Sequence, residues 1–349
     1  MSASAAAATN GLAAIALMIV VPQYTLIHPY LHLLIVAPLL VFTGCQRASM
    51  EAAKGADSQM ETVSKKDAMQ FPLIGSAVLF GLYIVIKFVK KEYLDMLLNV
   101  YFALLGSLSI HACVCPPLTK ALGMGELKQM RFTLHWKRWK ARDAEGADPI
   151  DMSFSWFDVL LYLPCAGASV SYAVTKKWWL NNLLGCAFSV QGIEMLGLGS
   201  YAIGCILLAG LFIYDVFWVF GTEVMVSVAK GLNAPVKILF PKALGVTPIP
   251  FSMLGLGDIV IPGIFVALML RFDQRRKLAS QPYFYANLVA YELGLCATVA
   301  VMHFFNHAQP ALLYLVPSCI GASLLTAVAR GELKELLNFS VEKKDPKED

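Results

Sequence analysis

Two aspartates attract attention because each lies inside an apolar stretch of the chain. Asp215 occurs in GLFIYDVFWV (210–219) and Asp258 in LGLGDIVIPG (254–263). A carboxylate in an apolar environment is unfavourable unless it is paired, protonated or reached by solvent. Two carboxyls that face each other share a proton, so one can activate water while the other protonates a carbonyl. These residue types predict general acid–base chemistry, provided that the fold brings the two side chains together.

The composition of the chain indicates that membrane helices must position these aspartates. The 349 residues are 58% hydrophobic and only 15% charged, whereas globular domains carry roughly 25% charged residues. A net charge of +4 is too small to indicate a nucleic-acid partner. Most of the eight cysteines lie in apolar runs, where they read as small helix residues rather than as a disulfide framework. We therefore expect an all-α polytopic protein surrounded by membrane lipid.

Nine apolar stretches approach the length of about 20 residues that a bilayer-spanning helix requires. They are Leu26–Cys45, Phe71–Val89, Leu94–Cys115, Phe157–Thr175, Trp178–Leu196, Tyr201–Phe220, Phe251–Leu270, Tyr283–Phe305 and Pro310–Ala329. Residues 1–25 are predicted to be an exoplasmic apolar lead, and 26–196 to hold five spans with a cytosolic loop at 116–156. Residues 197–330 would form a catalytic core of four spans, and 331–349 a cytosolic tail.

The distribution of lysine and arginine predicts the orientation of these spans. With nine spans the two termini lie on opposite faces, and most basic residues fall in the loops on the C-terminal side. The positive-inside rule then places the C-terminus in the cytosol and the N-terminus outside it. The basic, aromatic segment RFTLHWKRWKAR (131–142) is interpreted as lying on anionic headgroups rather than on RNA.

The predicted spans bring the two aspartates to the same depth. Asp215 lies 14 residues beyond Tyr201, or roughly 21 Å into the sixth span. In a core about 30 Å thick, this is about 9 Å from the exoplasmic face. Asp258 lies seven residues beyond Phe251, where the seventh span enters from that same face, and is therefore roughly 10 Å from it. Glycines are expected to let the two helices approach closely: Gly204 and Gly210 on one, and Gly255, Gly257 and Gly263 on the other.

Three motifs in order give the chain a specific resemblance. YD at 214–215, GLGD at 255–258 and QPALL at 309–313 resemble the signal peptide peptidase family of presenilin-type intramembrane aspartyl proteases. The likeness extends from about Ala68 to Arg330. It implies a presenilin-like fold with Asp215 and Asp258 as the catalytic pair. It also implies residues that shape the site and hold substrate, which are Tyr214, Gly255, Leu256, Gly257, Pro310, Ala311 and Leu312.

Two of these residues also have a physical reading. Pro310 cannot donate a backbone N–H and disfavours helix at Gln309, so the ninth span should start abruptly and present polar backbone. Tyr214 has a hydroxyl beside Asp215, and the sequence leaves open whether it hydrogen-bonds to the pair or simply packs.

The resemblance implies hydrolysis of peptide bonds within transmembrane segments of signal-peptide remnants and type II membrane proteins. It also implies location in the endoplasmic reticulum membrane, in which the exoplasmic N-terminus predicted from charge would be lumenal. A homo-oligomer is compatible with the sequence, which does not give the oligomeric state. The alternative is an ion-coupled transporter or channel that uses the two aspartates as a relay.

We expect neither a cofactor nor a metal. His28/His32 and His303/His307 have helical spacing but no accompanying glutamate base, and no second ligand pair accompanies Cys113 and Cys115.

Overall fold

The computed structural model describes residues 3–55, 60–121, 131–136, 150–222, 224–225, 228, 234–246, 248–305 and 309–341. Ten helices of 18 or more residues lie within these ranges. They are α1 Ala3–Val20, α2 Pro29–Ala52, α3 Lys65–Phe88, α4 Lys91–Ala121, α5 Trp156–Thr175, α6 Trp178–Met195, α7 Tyr201–Phe220, α8 Gly257–Arg275, α9 Pro282–Phe305 and α10 Leu312–Arg330. A short helix, α11, follows at Leu333–Leu337, and one 3₁₀ turn lies at Val21–Gln23.

Six short strands form three two-stranded sheets between the helices. The strands are β1 Glu61–Val63, β2 Arg131–Trp136, β3 Ile150–Ser155, β4 Leu196–Leu198, β5 Lys237–Pro241 and β6 Phe251–Gly255. β1 pairs with β4 in parallel, whereas β2 with β3 and β5 with β6 are antiparallel. β2 holds the first half of the basic, aromatic segment, and residues 137–142 of that segment lie outside the described residues.

The all-α polytopic class predicted from the sequence is confirmed. Each of the nine predicted spans overlaps one of the helices α2 to α10. Seven helices in the described ranges are long and apolar enough to cross a membrane, namely α1, α2, α3, α4, α7, α9 and α10. The predicted count of nine is not confirmed, because α1 is a further long helix.

Helix α1 occupies residues that the sequence analysis assigns to an exoplasmic lead. The segment is rich in alanine, which has the highest helix propensity. α1 runs antiparallel to α2, since Gly11 faces Thr43 while the carbonyl of Met18 accepts a hydrogen bond from His32 Nε2 at 3.0 Å. The start of α1 therefore lies beside the end of α2.

Helix α8 is the central element of the bundle. Its residues from Ile264 to Asp273 are all buried. It packs against α2, α6, α7, α9 and α10. Asp258 lies in the first turn of this centrally packed helix.

Candidate active site

Asp215 lies in the second half of α7 and is almost fully buried, with 4% of its surface exposed. α7 begins where the sequence predicts, because Ser200 caps it by accepting a hydrogen bond from the Ile203 N–H at 3.2 Å. The Oδ2 atom of Asp215 accepts a hydrogen bond from the main-chain N–H of Leu312 at 3.1 Å. A buried carboxylate thus has a backbone donor supplied by another helix.

Asp258 lies in the first turn of α8. The predicted span from Phe251 is wrong at its start, because residues 251–255 form strand β6 and the helix begins only at Gly257. The run FSMLGLG is apolar without a clear period, so composition alone does not separate strand from helix there. Gly255 ends β6 and Gly257 begins α8, so the two glycines flank the change from strand to helix. The depth calculation for Asp258, which assumed helix from Phe251, does not hold.

The two carboxyl groups lie close enough for Asp215 to act electrostatically on Asp258. Two residues lie close to Asp258, Gly255 beside its side chain and Tyr291 beside its main chain. A side chain at Gly255 would place its Cβ 3.3 Å from Asp258 Oδ2, and the Tyr291 hydroxyl donates to the Asp258 carbonyl at 3.4 Å. Two nearby carboxyls cannot both ionise without mutual repulsion, so this arrangement favours one shared proton.

The segment before α10 brings the backbone donor to Asp215. Pro310, Ala311 and Leu312 are all buried. Ala311 is the N-cap of α10, and Pro310 accepts its first backbone hydrogen bond, from the Leu313 N–H at 3.2 Å. The N–H groups of a first helical turn have no intrahelical partner, so that of Leu312 is available to Asp215. The abrupt helix start predicted from Pro310 is observed.

A β-hairpin leads directly into the second aspartate. Its first strand, β5, is bound along its outer edge by two asparagines of α6. Asn181 Nδ2 donates to the Lys237 carbonyl at 2.7 Å. Asn182 donates to the Leu239 carbonyl at 2.7 Å and accepts from the Leu239 N–H at 2.8 Å. The hairpin is thereby fixed to the bundle through β5.

The outer edge of β6 differs from that of β5 in what lies beside it. The backbone groups of residues 237 and 239 bind α6 and therefore point away from β6. Backbone groups of an antiparallel strand alternate in direction, so those of Ile238 point toward β6 and pair with Leu254. The backbone groups of Phe251, Met253 and Gly255 consequently point away from β5. The sheet contains only β5 and β6 within the described residues, so this edge has no strand beside it. The edge ends three residues before Asp258.

Two other predicted site residues, Tyr214 and Leu256, direct their side chains toward neighbouring helices. The ring of Tyr214 lies where a Cβ on Gly75 of α3 would be 3.5 Å away, and its centroid is 6.4 Å from that of Trp218. This contact supports the packing reading of Tyr214. Leu256, the N-cap of α8, directs its side chain toward Gly185 of α6. Gly257 has only Ile261 near its missing Cβ, at 4.0 Å.

The prediction that five glycines bring α7 and α8 together is right only for Gly204. A Cβ on Gly204 would meet Phe265 of α8 at 2.9 Å. Gly210 instead faces Pro72 of α3, and Gly263 faces Ile193 of α6. Small residues mark close helix contacts, but the sequence does not say which helix is the partner.

Sequence reasoning missed three residues that hold the site: Asn181, Asn182 and Tyr291. The asparagines carried a signal, because two adjacent amides in an apolar helix require hydrogen-bond partners. Tyr291 carried none, since tyrosines are common in membrane helices.

Comparison with known proteins gives a consistent result. A family model described as signal peptide peptidase matches residues 55–343. Human signal peptide peptidase is 44% identical over 328 residues, covering 91% of this chain and 84% of the human protein. Intramembrane protease 2 of Caenorhabditis elegans is 47% identical over 216 residues, covering 57% of this chain and 46% of the worm protein. A probable intramembrane protease of Schizosaccharomyces pombe is 35% identical over 318 residues, covering 89% of this chain and 95% of the yeast protein. The matched region includes both aspartates and the start of α10.

Proposed function

Because this chain belongs to the signal peptide peptidase family of intramembrane aspartic proteases, we propose that Asp215 and Asp258 are its catalytic pair. The observation that carries the proposal is a buried Asp215 that accepts a backbone N–H and lies near enough to the half-buried Asp258 to interact with it electrostatically. The substrates are transmembrane peptides, and the reaction is hydrolysis of a peptide bond inside the membrane.

The surroundings of the two carboxyls differ enough to assign their roles. A hydrogen bond to a charged group is worth about 1.5–3 kcal/mol, which favours the ionised form of Asp215. The dipole at the start of α8 favours negative charge on Asp258, but this effect is worth only about 0.3–1 kcal/mol. Asp215 therefore holds the negative charge, and Asp258 holds the shared proton.

The reaction follows from this assignment. Asp215 takes a proton from water, and the resulting hydroxide forms a bond to the carbonyl carbon of the scissile peptide. Asp258 gives its proton to the carbonyl oxygen, which yields a neutral gem-diol. The proton held by Asp215 then passes to the amide nitrogen. The C–N bond breaks as the diol re-forms a carbonyl, returning a proton to Asp258 and releasing a carboxylic acid and an amine.

A helical substrate must unwind before this reaction, because its carbonyls are hydrogen-bonded and its peptide bonds are shielded. The outer edge of β6 supports a place for the unwound segment. An extended peptide that pairs with the outward groups of Phe251, Met253 and Gly255 satisfies its own backbone and runs toward Asp258. Helix-weakening residues in the substrate should therefore speed cleavage.

The proposed compartment, membrane orientation and substrates rest on the family and on the distribution of basic residues among the loops. The protein lies in the endoplasmic reticulum membrane, with its C-terminal segment in the cytosol as the basic loops indicate. A lumenal N-terminus requires that residues 1–25 stay outside the bilayer. If α1 spans the membrane instead, its antiparallel packing on α2 brings the N-terminus to the cytosolic side. The substrates are signal-peptide remnants and type II helices, whose N-termini are cytosolic.

The test of function is cleavage of a synthetic signal-peptide remnant by the purified protein. Asp215→Asn and Asp258→Asn should each lower turnover by at least about 10²-fold, because an amide keeps the shape but cannot transfer the proton. Glu292→Gln, which removes a half-buried carboxyl of α9 outside the pair, should leave turnover unchanged. A transition-state mimic of peptide hydrolysis should inhibit, as an ion transporter has no reason to bind one. Substantial turnover by either aspartate variant would refute the pair.

Substrate direction is tested separately, in liposomes. Two single-span substrates of identical apolar sequence and opposite orientation should differ in cleavage, with the one whose N-terminus is cytosolic preferred. Equal cleavage of both contradicts the directional proposal and leaves the aspartyl chemistry standing.

A further inference from the structure

Three side chains with metal-ligating atoms converge at the junction of α4 and α5, on helices other than those that carry the aspartate pair. They are His111 and Cys115 of α4 and Asp158 of α5. A ring nitrogen, the thiol sulfur and a carboxylate oxygen of these residues all lie within 4.8 Å of one another. Cys115 Sγ is 3.1 Å from Asp158 Oδ1. We propose that these residues form a binding site for a zinc-type divalent cation.

The geometry of the helices explains why the three groups meet. His111 and Cys115 are four residues apart, so their side chains lie on one face of α4. Asp158 is in the first turn of α5, which packs against α4. The Ser107 and Tyr162 hydroxyls, 2.9 Å apart, connect the same two helices one turn further along. Two ligands from one helix and one from its neighbour thus make a cross-link between them.

The hydrogen bond of His111 fixes a tautomer that leaves one ring nitrogen available to a metal. Its Nε2 atom lies 3.1 Å from the main-chain carbonyl oxygen of Asp158. A carbonyl oxygen only accepts hydrogen bonds, so Nε2 carries the proton and Nδ1 carries the lone pair. Metal-ligating histidines commonly donate their other ring N–H to a backbone carbonyl in this way, which fixes the tautomer.

The chemistry of the three donors selects the cation. A thiolate, an imidazole and a carboxylate are the ligand types of zinc, with Zn–S near about 2.3 Å and Zn–N near about 2.0–2.1 Å. A thiolate and a carboxylate together neutralise a divalent cation. This balance matters because Cys115 is buried and the other two residues are half-buried, where uncompensated charge is unfavourable. Three protein ligands leave the fourth position of the tetrahedron for water or another donor.

The site lies at the cytosolic ends of α4 and α5 in the proposed orientation, where thiols stay reduced and available as ligands. Cys113 and Cys115 are two residues apart in the sequence, but their side chains point to different neighbours. The sulfur of Cys113 faces the Ala187 carbonyl of α6 at 3.8 Å, so only Cys115 belongs to the cluster. The sequence offered no partner for Cys115 because Asp158 is 43 residues away.

The experiment is a titration of the purified, metal-free full-length protein with Co²⁺, followed by absorption. The wild-type protein should bind about one Co²⁺ with a thiolate-to-cobalt charge-transfer band in the near ultraviolet, and Zn²⁺ should displace it. Cys115→Ser should abolish the band. His111→Gln and Asp158→Asn should each weaken binding by at least about tenfold. Cys113→Ser is the matched control, since it removes a buried thiol of the same helix and should keep the band.

A second measurement separates binding from misfolding. Zn²⁺ should raise the melting temperature of the wild-type protein and of Cys113→Ser, but not that of Cys115→Ser. A wild-type protein without the band, or a band that survives Cys115→Ser, overturns the proposal. Proteolysis by the metal-free protein should proceed at the wild-type rate, because the aspartate pair uses no metal. The two proposals therefore fail independently.

Discussion

The main-chain N–H of Leu312 donates a hydrogen bond to Oδ2 of Asp215 at 3.1 Å, across 97 residues of sequence. Leu312 is the first residue of α10, and Asp215 lies on α7. The contact connects the start of one helix to a buried carboxylate on another. We propose that the contact gives the Pro-Ala-Leu segment a chemical role, because the backbone donor would stabilise charge on Asp215.

Pro310→Ala tests this role. Proline fixes the backbone angle just before α10, so alanine should loosen the position of the Leu312 N–H. We expect turnover to fall about tenfold. The free energy of unfolding should change by no more than about 1 kcal/mol. Both are measured on purified protein, by peptide cleavage and by thermal unfolding. Full turnover in a stable variant would contradict a role for this backbone donor.

Gly255→Ala should disturb Asp258 directly. The new Cβ would lie 3.3 Å from Asp258 Oδ2, so the carboxyl must shift by a few tenths of an ångström. A misplacement of about 1 Å can cost about 10²-fold in rate, and we expect roughly a tenfold loss of turnover here. Gly81→Ala is the control, because no heavy atom lies within 4 Å of its missing Cβ on α3. Equal losses in both variants would show that the close contact at Gly255 is not the cause.

Asn182→Leu should loosen the hairpin that leads into Asp258. The change leaves the N–H and the carbonyl of Leu239 without their side-chain partner. Each unsatisfied buried group costs about 1–3 kcal/mol, so the melting temperature should fall clearly. Turnover should fall with it. Ser189→Ala removes only a hydrogen bond within α6 and should have a much smaller effect on both measurements.

The hydrogen bonds of Glu332, two residues after the end of α10, predict that the stability of the protein depends on pH. Burial raises the pKa of its carboxyl, but hydrogen bonds outweigh this and hold the pKa below its ordinary value. The donors are Arg330, Tyr283 and Arg276. A carboxyl with a lowered pKa in the folded state stabilises the protein above its ordinary pKa of about 4.3. The contribution is lost as the pH falls through the folded-state value.

Glu332→Gln should therefore lower the melting temperature at pH 7. The difference from wild type should shrink as the pH is taken below about 4. Glu335→Gln, at an exposed position of α11, should melt like wild type throughout. A difference between Glu332→Gln and wild type that grows on acidification would reverse the sign and refute the assignment.

The orientation of the chain is tested by glycosylation. Asn338-Phe339-Ser340 is a sequon, and a cytosolic C-terminal segment predicts that it stays unmodified. Because α1 is antiparallel to α2, an acceptor sequon added before Ala3 should also stay unmodified. An acceptor placed between α1 and α2, near Tyr24, should be modified if it is far enough from the membrane. Glycosidase treatment and gel mobility measure all three. Modification of Asn338 would invert the proposed orientation.

The membrane class, the approximate positions of nine long helices and the family could be predicted from the sequence. Apolar runs of sufficient length are local properties, and so are the motifs at 214–215, 255–258 and 309–313. The two aspartates could be found because carboxylates in apolar surroundings need an explanation. The start of α8 could not be predicted, because an apolar run that contains glycine suits a strand and a helix equally.

What the amino-acid sequence determined by itself is the approximate position of nine long helices and the identity of the candidate catalytic groups. The tertiary structure decided which groups meet. It placed the Leu312 N–H on Asp215, directed the outer edge of β6 away from α6, and brought Asp158 to Cys115. These contacts join residues far apart in the chain, and they depend on how all the helices pack at once. Local periodicity carries no information about that packing, so a glycine or a cysteine shows that a close partner exists without showing which one.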